Sequence, residues 1–480
     1  MKNCPYCNVL IEDEYPYCPN CNKPLLSNLK TVANGRLRTR YDDSEFFLPQ
    51  LDEEDENYEE IIIRDKQIER NIKEIDEILE RKEILGDPIP GSLFLEKSSL
   101  YYKIRDLPNA LKNLEFALKN FEDEDDVFNM AICHNEIGLI QEDIGFFDQA
   151  IYHFNRSLEI LKDVSDNQRV IKVLNNLGNI YYLIKDLEHS YEYYQEALEL
   201  SKQENLIFEE VKTSSNLVEV LYLLRDYDRV GRILSKNAEF FKQNDDIYGV
   251  ISNEIKFGKL YFKQGEDFDL AYEYLNRAFD LIESLKDTTT IYIRSTLEWE
   301  CLLYLGKLYL LWGNLSEAEN CLINSLNAIR IFSINDNIFE GNVLESLAEM
   351  YTINESNEKA IEYYNLAYDI YYKYGDNKKC ADIKFNIGSI ILDSKLDKLN
   401  SIKYFEESLE MYEDLHYVKE AADTLLKLGD LYINRGITDI ALVNLERARD
   451  YYKELQDEKM SKLINEKIKS LNNVNDVIDY

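Results

Sequence analysis

A small-residue marker recurs about every 40 residues through most of the chain, and it constrains the fold more than any other feature. The marker is usually Gly, follows an apolar residue, and often precedes an aromatic by three positions. It falls at Ser98, Gly138, Gly178, Val218, Gly258, Gly306, Ala348, Gly388 and Gly429. Successive intervals are 40, 40, 40, 40, 48, 42, 40 and 41 residues. A fixed period of this size predicts a solenoid of repeated units.

Further positions inside each unit predict how it folds. A second small residue, or a substitute, follows the marker by twelve or thirteen positions, then an aromatic or Leu, then a third small residue. In the best-preserved unit the positions are Leu177, Gly178, Tyr181, Ser190, Tyr194 and Ala197. Spacings of three and four residues place side chains on one helix face. Each unit is therefore predicted to be a hairpin of two amphipathic helices, which the small residues allow to approach closely.

The pattern resembles the tetratricopeptide repeat, whose common period is about 34 residues. The same positions recur at Leu305, Gly306, Tyr309, Ala318, Leu322 and Ser325, and at Leu428, Gly429, Tyr432, Ala441, Leu445 and Ala448. About six extra residues add nearly one turn to each helix, which is similar to the longer repeats of kinesin light chains and of bacterial receptors for signalling peptides. The resemblance implies an all-α fold, a right-handed α-solenoid of about nine hairpins over residues 92–471.

The chain departs from the common repeat at two points. The Pro near the end of each unit is absent, and the unit around Val218 has Val230 and Asn237 where small apolar residues are expected. HEAT or armadillo repeats are the alternative at this period, but they lack the order of Gly, aromatic and small residues seen here. The 48-residue interval before Gly306 predicts an insert that forms a loop or a longer helix.

Charge and hydropathy limit the partners. The 480 residues carry a formal net charge of −36, which would repel nucleic acid or an anionic membrane. No apolar run approaches the roughly 18 residues of a membrane-spanning helix, and the N-terminus does not resemble a secretory signal. The sequence therefore predicts a cytoplasmic protein whose partner is another protein or a peptide, with neither nucleic acid nor membrane.

Four of the eight cysteines lie close together at the N-terminus. Cys4, Cys7, Cys18 and Cys21 form two C-P-x-C motifs separated by ten residues. Four thiolates on two such turns give the closed tetrahedral shell of a structural zinc ion. Two disulfides are the alternative, but paired C-x-x-C motifs without a secretory signal favour metal. We expect one structural Zn²⁺ in residues 1–26, which resemble the small zinc ribbons of many prokaryotic proteins.

Two segments separate the predicted ribbon from the first repeat. Residues 27–56 have little periodicity and contain an acidic run, which predicts a flexible linker. Over 57–91, a helix is expected up to residue 85, where GDPIPG breaks it; its apolar stripe is Ile61, Ile68, Ile72, Ile75 and Leu79. We expect this helix to cap the first repeat. A homodimer through 57–85 is the alternative, with a monomer favoured. Residues 472–480 are predicted to form a C-terminal tail.

No catalytic constellation is visible in the sequence. The four histidines, His134, His153, His189 and His416, are scattered, without an H-E-x-x-H motif, and there is no Gly-rich phosphate-binding loop. The chain is therefore predicted not to be an enzyme.

Polar and aromatic residues repeat at fixed offsets on the first helices of three consecutive units. Six residues before the marker are Lys172 and Lys212, two before it are Asn176, Asn216 and Lys256, and four after it are Tyr182, Tyr222 and Phe262. Asn side chains both donate to and accept from a peptide backbone, Lys attracts carboxylates, and rings cover apolar side chains. These eight residues predict a peptide-binding groove on the first helices.

Part of this set is similar to the residues with which tetratricopeptide co-chaperones grip a C-terminal carboxylate. Lys172, Asn176, Asn216 and Lys256 match that set, whereas the remaining basic position is Ser252. The alternative is that the lysines pair with nearby acids such as Glu209 and Glu219.

Two functional hypotheses follow from the groove. The first is an adaptor or scaffold that binds a peptide segment of a partner protein. The second is a ligand-responsive regulatory protein whose solenoid changes shape when it binds a small signalling peptide.

Overall fold

A computed structural model describes residues 2–3, 10–11, 56–104, 106–286, 289, 291–332, 338–393 and 398–478. The four cysteines of the predicted zinc ribbon lie outside the described residues, as does the predicted linker up to residue 55. At the N-terminus, strand β1 (Lys2–Asn3) pairs antiparallel with β2 (Leu10–Ile11), with Lys2 opposite Ile11.

The chain divides into two compact units, unit 1 (Met1–Leu224) and unit 2 (Arg225–Tyr480). The helices of unit 1 are α1 Glu56–Leu85, α2 Gly91–Lys103, α3 Leu107–Asp123, α4 Val127–Ile144, α5 Phe147–Asp163, α6 Asn167–Leu183, α7 Leu187–Gln203 and α8 Ile207–Leu223. Consecutive helices pack as hairpins, α2 with α3, α4 with α5 and α6 with α7. The prediction of amphipathic helical hairpins is confirmed here.

Unit 2 continues the same pattern. Its helices are α9 Tyr227–Gln243, α10 Ile247–Gln264, α11 Phe268–Ser284, α12 Ile291–Leu311, α13 Leu315–Phe332, α14 Ile338–Ile353, α15 Asn357–Lys373, α16 Asn377–Asp393, α17 Lys398–Asp414, α18 Val418–Asn434, α19 Thr438–Glu454 and α20 Glu458–Ile478. The insert lengthens a helix, as predicted, because α12 has 21 residues where α10 has 18. None of the helices described in either unit is long and apolar enough to cross a membrane.

Each 40-residue repeat consists of two halves of about 20 residues, and each half is one helix followed by a turn of the same kind. In unit 1 the helices α3 to α8 have 17 or 18 residues. A residue with positive φ follows every 20 positions, at Asp125, Gly145, Ser165, Lys185 and Asn205. An Asp often comes next and caps the following helix, as when Asp166 accepts a hydrogen bond from the Arg169 N–H at 3.0 Å. Such caps satisfy an N–H that the helix itself leaves unpaired.

The marker residue brings the two helices of a hairpin together. A Cβ added to Gly178 would lie 2.7 Å from the Tyr194 ring, and one added to Gly138 would lie 2.7 Å from the Phe154 ring. The second small residue joins the same two helices, because Ser190 Oγ donates a hydrogen bond to the Gly178 carbonyl at 2.8 Å. These contacts explain why the marker is small: a side chain there would overlap the ring that fills the hairpin.

Helix α1 packs against the first hairpin. Ile68, Ile72 and Ile75 are buried together with Leu100 of α2, and Lys97 of α2 forms an ion pair with Asp76 of α1. Ile68, Ile72 and Ile75 of the apolar stripe are thereby removed from water within the chain itself. The oligomeric state stays a prediction.

Candidate functional site

The first helices of successive hairpins contact one another within each unit. In unit 1, α4 contacts α6 and α6 contacts α8; in unit 2, α10 contacts α12 and α12 contacts α14. Side chains at equivalent positions on these helices therefore become neighbours. We call the side of α4, α6 and α8 that carries Lys172, Asn176, Lys212 and Asn216 the unit-1 surface.

Two lysines of the unit-1 surface stand without partners. Lys172 on α6 and Lys212 on α8 occupy equivalent positions and are exposed. Neither makes a hydrogen bond or an ion pair with any residue in the described part of the chain. Glu209, a suggested partner, is buried, and its Oε2 atom has no hydrogen bond within the same residues. Two unpaired ammonium groups are notable in a chain of net charge −36, because neighbouring acids usually neutralise such groups.

The asparagines of the unit-1 surface join its helices. Asn176 Nδ2 donates to Asn135 Oδ1 at 2.9 Å, and Asn216 Nδ2 donates to Asn175 Oδ1 at 3.2 Å. Asn175 in turn donates to Thr213 Oγ1 at 2.9 Å. Asn176 and Asn216 are half-buried. Part of their hydrogen-bonding capacity therefore orders the surface, and each carbonyl oxygen stays available to a peptide N–H.

The aromatic residues of the predicted groove do not form one exposed row. Tyr222 is 3% exposed and packs in the core, whereas Tyr182 is half-buried and lies under the Lys185 ammonium, 5.5 Å from its ring centroid. The exposed rings are elsewhere: Phe208, at the start of α8, is 63% exposed. Phe208 precedes Lys212 by four residues, which is the sequence signal that places both on one helix face.

The two predicted residues of unit 2 lie on α10. Lys256 is half-buried. The Phe262 ring stands edge to face with Tyr304 of α12 at 5.4 Å between centroids, and lies 6.0 Å from Phe268 of α11. Phe262 therefore packs between its own hairpin, α10 with α11, and helix α12 of the next one.

Ion pairs join the first helices of unit 2. Lys259 Nζ on α10 lies 2.6 Å from Glu300 Oε1 on α12, and Lys379 Nζ on α16 lies 2.7 Å from Glu345 Oε2 on α14. Between them, burial lowers the pKa of Lys307, against the opposing effect of Glu349 and Glu345. Unlike Lys172 and Lys212, Lys259 and Lys379 of unit 2 are paired with carboxylates on neighbouring helices.

A pair of imidazoles, His134 buried and His153 half-buried, occupies the α4/α5 hairpin. His134 Nδ1 and His153 Nδ1 are 2.9 Å apart and share a hydrogen bond. Burial lowers the pKa of both histidines to about 4, with smaller contributions from Arg156 and from the neighbouring ring. Nowhere in the described residues do three His, Cys, Asp or Glu side chains come together to hold a metal ion. The pair therefore stays neutral at pH 7 and has a packing role.

The four cysteines of the helices are inert thiols. Cys133, Cys301, Cys321 and Cys380 are all buried. Burial raises the pKa of Cys133 to about 12 and that of Cys321 to about 11. A thiol so far from ionisation at pH 7 is a poor nucleophile and a poor metal ligand.

Two family models match the chain. The tetratricopeptide repeat model matches residues 129–203, and the model of the soluble NSF attachment protein, SNAP, matches residues 306–473. A search of curated proteins gave no significant match. Together with the hairpins and their small-residue contacts, these matches show a fold of helical repeats, of which those at residues 129–203 are of the tetratricopeptide type.

One solved structure has a similar fold. A STAND protein (Signal Transduction ATPase with Numerous Domains) with a tetratricopeptide repeat sensor, from Pyrococcus horikoshii, is 17% identical with a TM-score of 0.50. The alignment covers 78% of this chain and 55% of that one. The apo quorum sensor NprR from B. thuringiensis (13%, TM-score 0.46, covering 73% and 99%) and BtubC from P. vanneervenii (18%, 0.41, 48% and 92%) are more distant in shape.

Proposed function

We propose that this protein is a non-enzymatic adaptor that binds a peptide segment of a partner protein on the unit-1 surface. The observation that carries the proposal is the pair of exposed, unpaired lysines, Lys172 and Lys212, at equivalent positions of contacting helices. Two like charges on neighbouring helices repel one another, and a bound anion relieves that repulsion. A peptide carboxylate, from a C-terminus or an acidic side chain, is the expected anion.

The other predicted residues of unit 1 supply the remaining peptide contacts. The carbonyl oxygens of Asn176 and Asn216 are placed one helical turn from the lysines, where they accept hydrogen bonds from backbone N–H groups whatever the peptide sequence. The ring of Tyr182 and the exposed ring of Phe208 offer apolar area. Lys256 and Phe262, on α10 of unit 2, stay peptide-binding predictions of the sequence and are not part of the unit-1 surface.

Capture from a lysate of the native organism, followed by peptide binding, tests this function. The test variant is Lys172→Gln with Lys212→Gln. The matched control is Lys119→Gln with Lys202→Gln, which removes two exposed lysines from the second helices α3 and α7. We expect the test variant to lose the captured partner while the control retains it, at equal helicity.

Peptides from the captured partner then identify the anion. We expect a peptide carrying the recognised carboxylate to bind the wild type about tenfold or more tightly than its amidated form. The test variant should bind both forms equally. Equal capture by the test and control variants would show that the unit-1 surface is not the binding site.

The N-terminal cysteines are proposed to hold one structural Zn²⁺. The donor set fits a closed tetrahedral site, with two C-P-x-C motifs supplying four thiolates. Its first motif, Cys4 and Cys7, lies in sequence between strands β1 and β2, and their antiparallel pairing supports the proposal by bringing the ends of that short segment together. Elemental analysis should give one zinc per chain, reduced to none when all four cysteines are replaced by Ser. Two disulfides found by mass spectrometry of the alkylated protein would contradict it.

A further inference from the structure

A cleft of about 540 Å³ opens in unit 2 between the α14/α15 hairpin and α16. Its lining residues are mostly polar: Thr352, Glu355, Asn357, Tyr364, Asn386, Ser389, Ile390 and Asp393. Asn386 occupies the same position on α16 as Asn176 does on α6, two residues before the marker. The cleft lies far in sequence from the predicted groove residues and is independent of them.

Hydrogen-bond acceptors converge on this cleft. Tyr364 is 3% exposed, and the nearby side chains of Thr352 and Asn386 lower the pKa of its hydroxyl against the larger, raising effect of burial. The hydroxyl hydrogens of Thr352 and Ser389 point back to the carbonyls of Ala348 and Phe385, at 2.8 and 3.0 Å. Because those hydrogens are used within the helices, the lone pairs of the two hydroxyl oxygens remain to accept.

The charged side chains that line the cleft, among the residues described, are all acidic. The carboxylates of Glu355 and Asp393 are exposed at its rim, and neither has a hydrogen bond or ion pair within the described residues. No lysine or arginine is among the lining residues that the structure describes. Glu345 and Glu349 lie near Tyr364 and raise its pKa in addition to the effect of its burial, while Lys307 and Lys379 act on Glu349 with the opposite charge. Lys379 forms an ion pair with Glu345.

We propose that this cleft binds a guanidinium group, the side chain of an arginine in a bound peptide. A guanidinium is planar, always charged, and carries five N–H donors in a fixed arrangement, which suits several acceptors spread around one cavity. An ammonium group presents three donors at one point and would leave part of the cleft unsatisfied. The arginine as part of a peptide rests on the proposed function; the guanidinium site itself does not.

A small probe tests the cleft directly in the full chain. The probe is N-acetyl-L-argininamide, compared with the matching citrulline and lysine amides, and binding is followed by saturation-transfer NMR. The citrulline compound keeps the shape of arginine without its charge. We expect the arginine probe to bind about tenfold more tightly than citrulline and measurably more tightly than lysine.

Substitutions separate the cleft from general attraction to an acidic protein. Glu355→Gln with Asp393→Asn should abolish the preference for arginine over citrulline, and Tyr364→Phe should weaken it. Glu358→Gln is the control, because Glu358 is an exposed carboxylate three residues away that does not line the cleft. If the wild type shows no preference for arginine, or if the control removes it equally, the proposal is wrong.

The outcomes distinguish this site from the proposed function. Arginine binding at the cleft, together with a failure to capture any peptide on the unit-1 surface, would retain the site and reject the adaptor function. Loss of peptide capture in the lysine variant, with no preference of the cleft for arginine, would do the reverse.

Discussion

In both units, side chains 41 residues apart connect the first helices of successive hairpins, but the two units use different residue types for this contact. In unit 1 a hydrogen bond between two neutral side-chain amides joins residues 41 apart, as in Asn176 with Asn135. In unit 2 an ion pair joins residues 41 apart, Lys259 with Glu300. The amides order the unit-1 surface without involving Lys172 or Lys212. In unit 2, by contrast, Lys259 and Lys379 form ion pairs with carboxylates on neighbouring helices. The comparison indicates that repeat geometry fixes which positions meet, and that residue identity decides whether a charge is left for a partner.

The hairpin contact also differs from one hairpin to another. A Cβ placed on Gly178 of unit 1 would lie 2.7 Å from the Tyr194 ring, while one placed on Gly388 of unit 2 would lie 3.2 Å from the Phe405 ring. Other hairpins of unit 2 are as tight as that of Gly178, with 2.5 Å at Gly258 and 2.8 Å at Gly306 and Gly429. The tighter contact at Gly178 leaves no room for a methyl group. At Gly388 a shift of a few tenths of an ångström is enough.

The largest expected effect follows from that difference. Gly178→Ala should lower the free energy of unfolding by about 3 kcal/mol, because overpacking of the ring exceeds the gain in helix propensity. Gly388→Ala should change it by about 1 kcal/mol or less, since propensity and crowding nearly cancel. Urea denaturation followed by circular dichroism measures both. Equal losses at the two positions would show that the contact distance does not control the cost.

An intermediate effect is expected from acid. His134 and His153 have folded pKa values of about 4, below the unfolded value of about 6.5. The unfolded state then binds more protons between these values, so stability falls as the pH drops from about 6.5 towards 4. Between pH 6.5 and pH 5 the loss from the buried His134 alone should be about 2 kcal/mol, and the partly exposed His153 should add less than that.

Hydrogen exchange at pH 7 and pH 5 should locate this acid effect. We expect protection to fall in α4 and α5 of unit 1 more than in the hairpins of unit 2. His134→Gln with His153→Gln should reduce the difference between the two pH values. A uniform loss of protection across both units would instead point to the many carboxylates of the chain.

The smallest expected effect separates paired from unpaired lysines. Lys259→Met should lower the free energy of unfolding by about 1.5 kcal/mol, because it leaves the partly buried Glu300 carboxylate without its partner. Lys172→Met should change it by less than about 0.5 kcal/mol, as for other exposed side chains without contacts. Replacing Glu300 by Leu in the Lys259→Met variant should recover stability. A large loss at Lys172 would indicate that this lysine has a structural role and is not reserved for a ligand.

Several predictions from the sequence do not depend on the comparison between unit 1 and unit 2, and they stay predictions. The zinc ribbon at Cys4, Cys7, Cys18 and Cys21, the cytoplasmic location, the monomeric state and the absence of enzymatic activity are among them. The same holds for the choice between an adaptor and a ligand-responsive regulator. X-ray scattering with and without a captured peptide separates those two functions, because only the regulator predicts a change in radius of gyration.

The repeats and the contact that closes each hairpin could be predicted from the order of the residues alone. The spacing of Gly178, Ser190 and Tyr194 places all three on the facing sides of two helices, and the structure shows their contacts at 2.7 and 2.8 Å. Such information is local: a helix has a fixed rise and rotation per residue, so spacing along the chain fixes the face on which a side chain lies.

Which side chains of that face remain exposed and unpaired depends instead on the packing of whole hairpins. Tyr182 and Tyr222 are equivalent in sequence, yet the first is half-buried and the second is buried. Within the described residues Lys172 stays unpaired, while Lys259 meets an acid 41 residues away. Likewise, the cleft around Asn386 and Tyr364 arises from packing between two hairpins. These outcomes depend on how successive hairpins are rotated and spaced, which the local helical period does not specify.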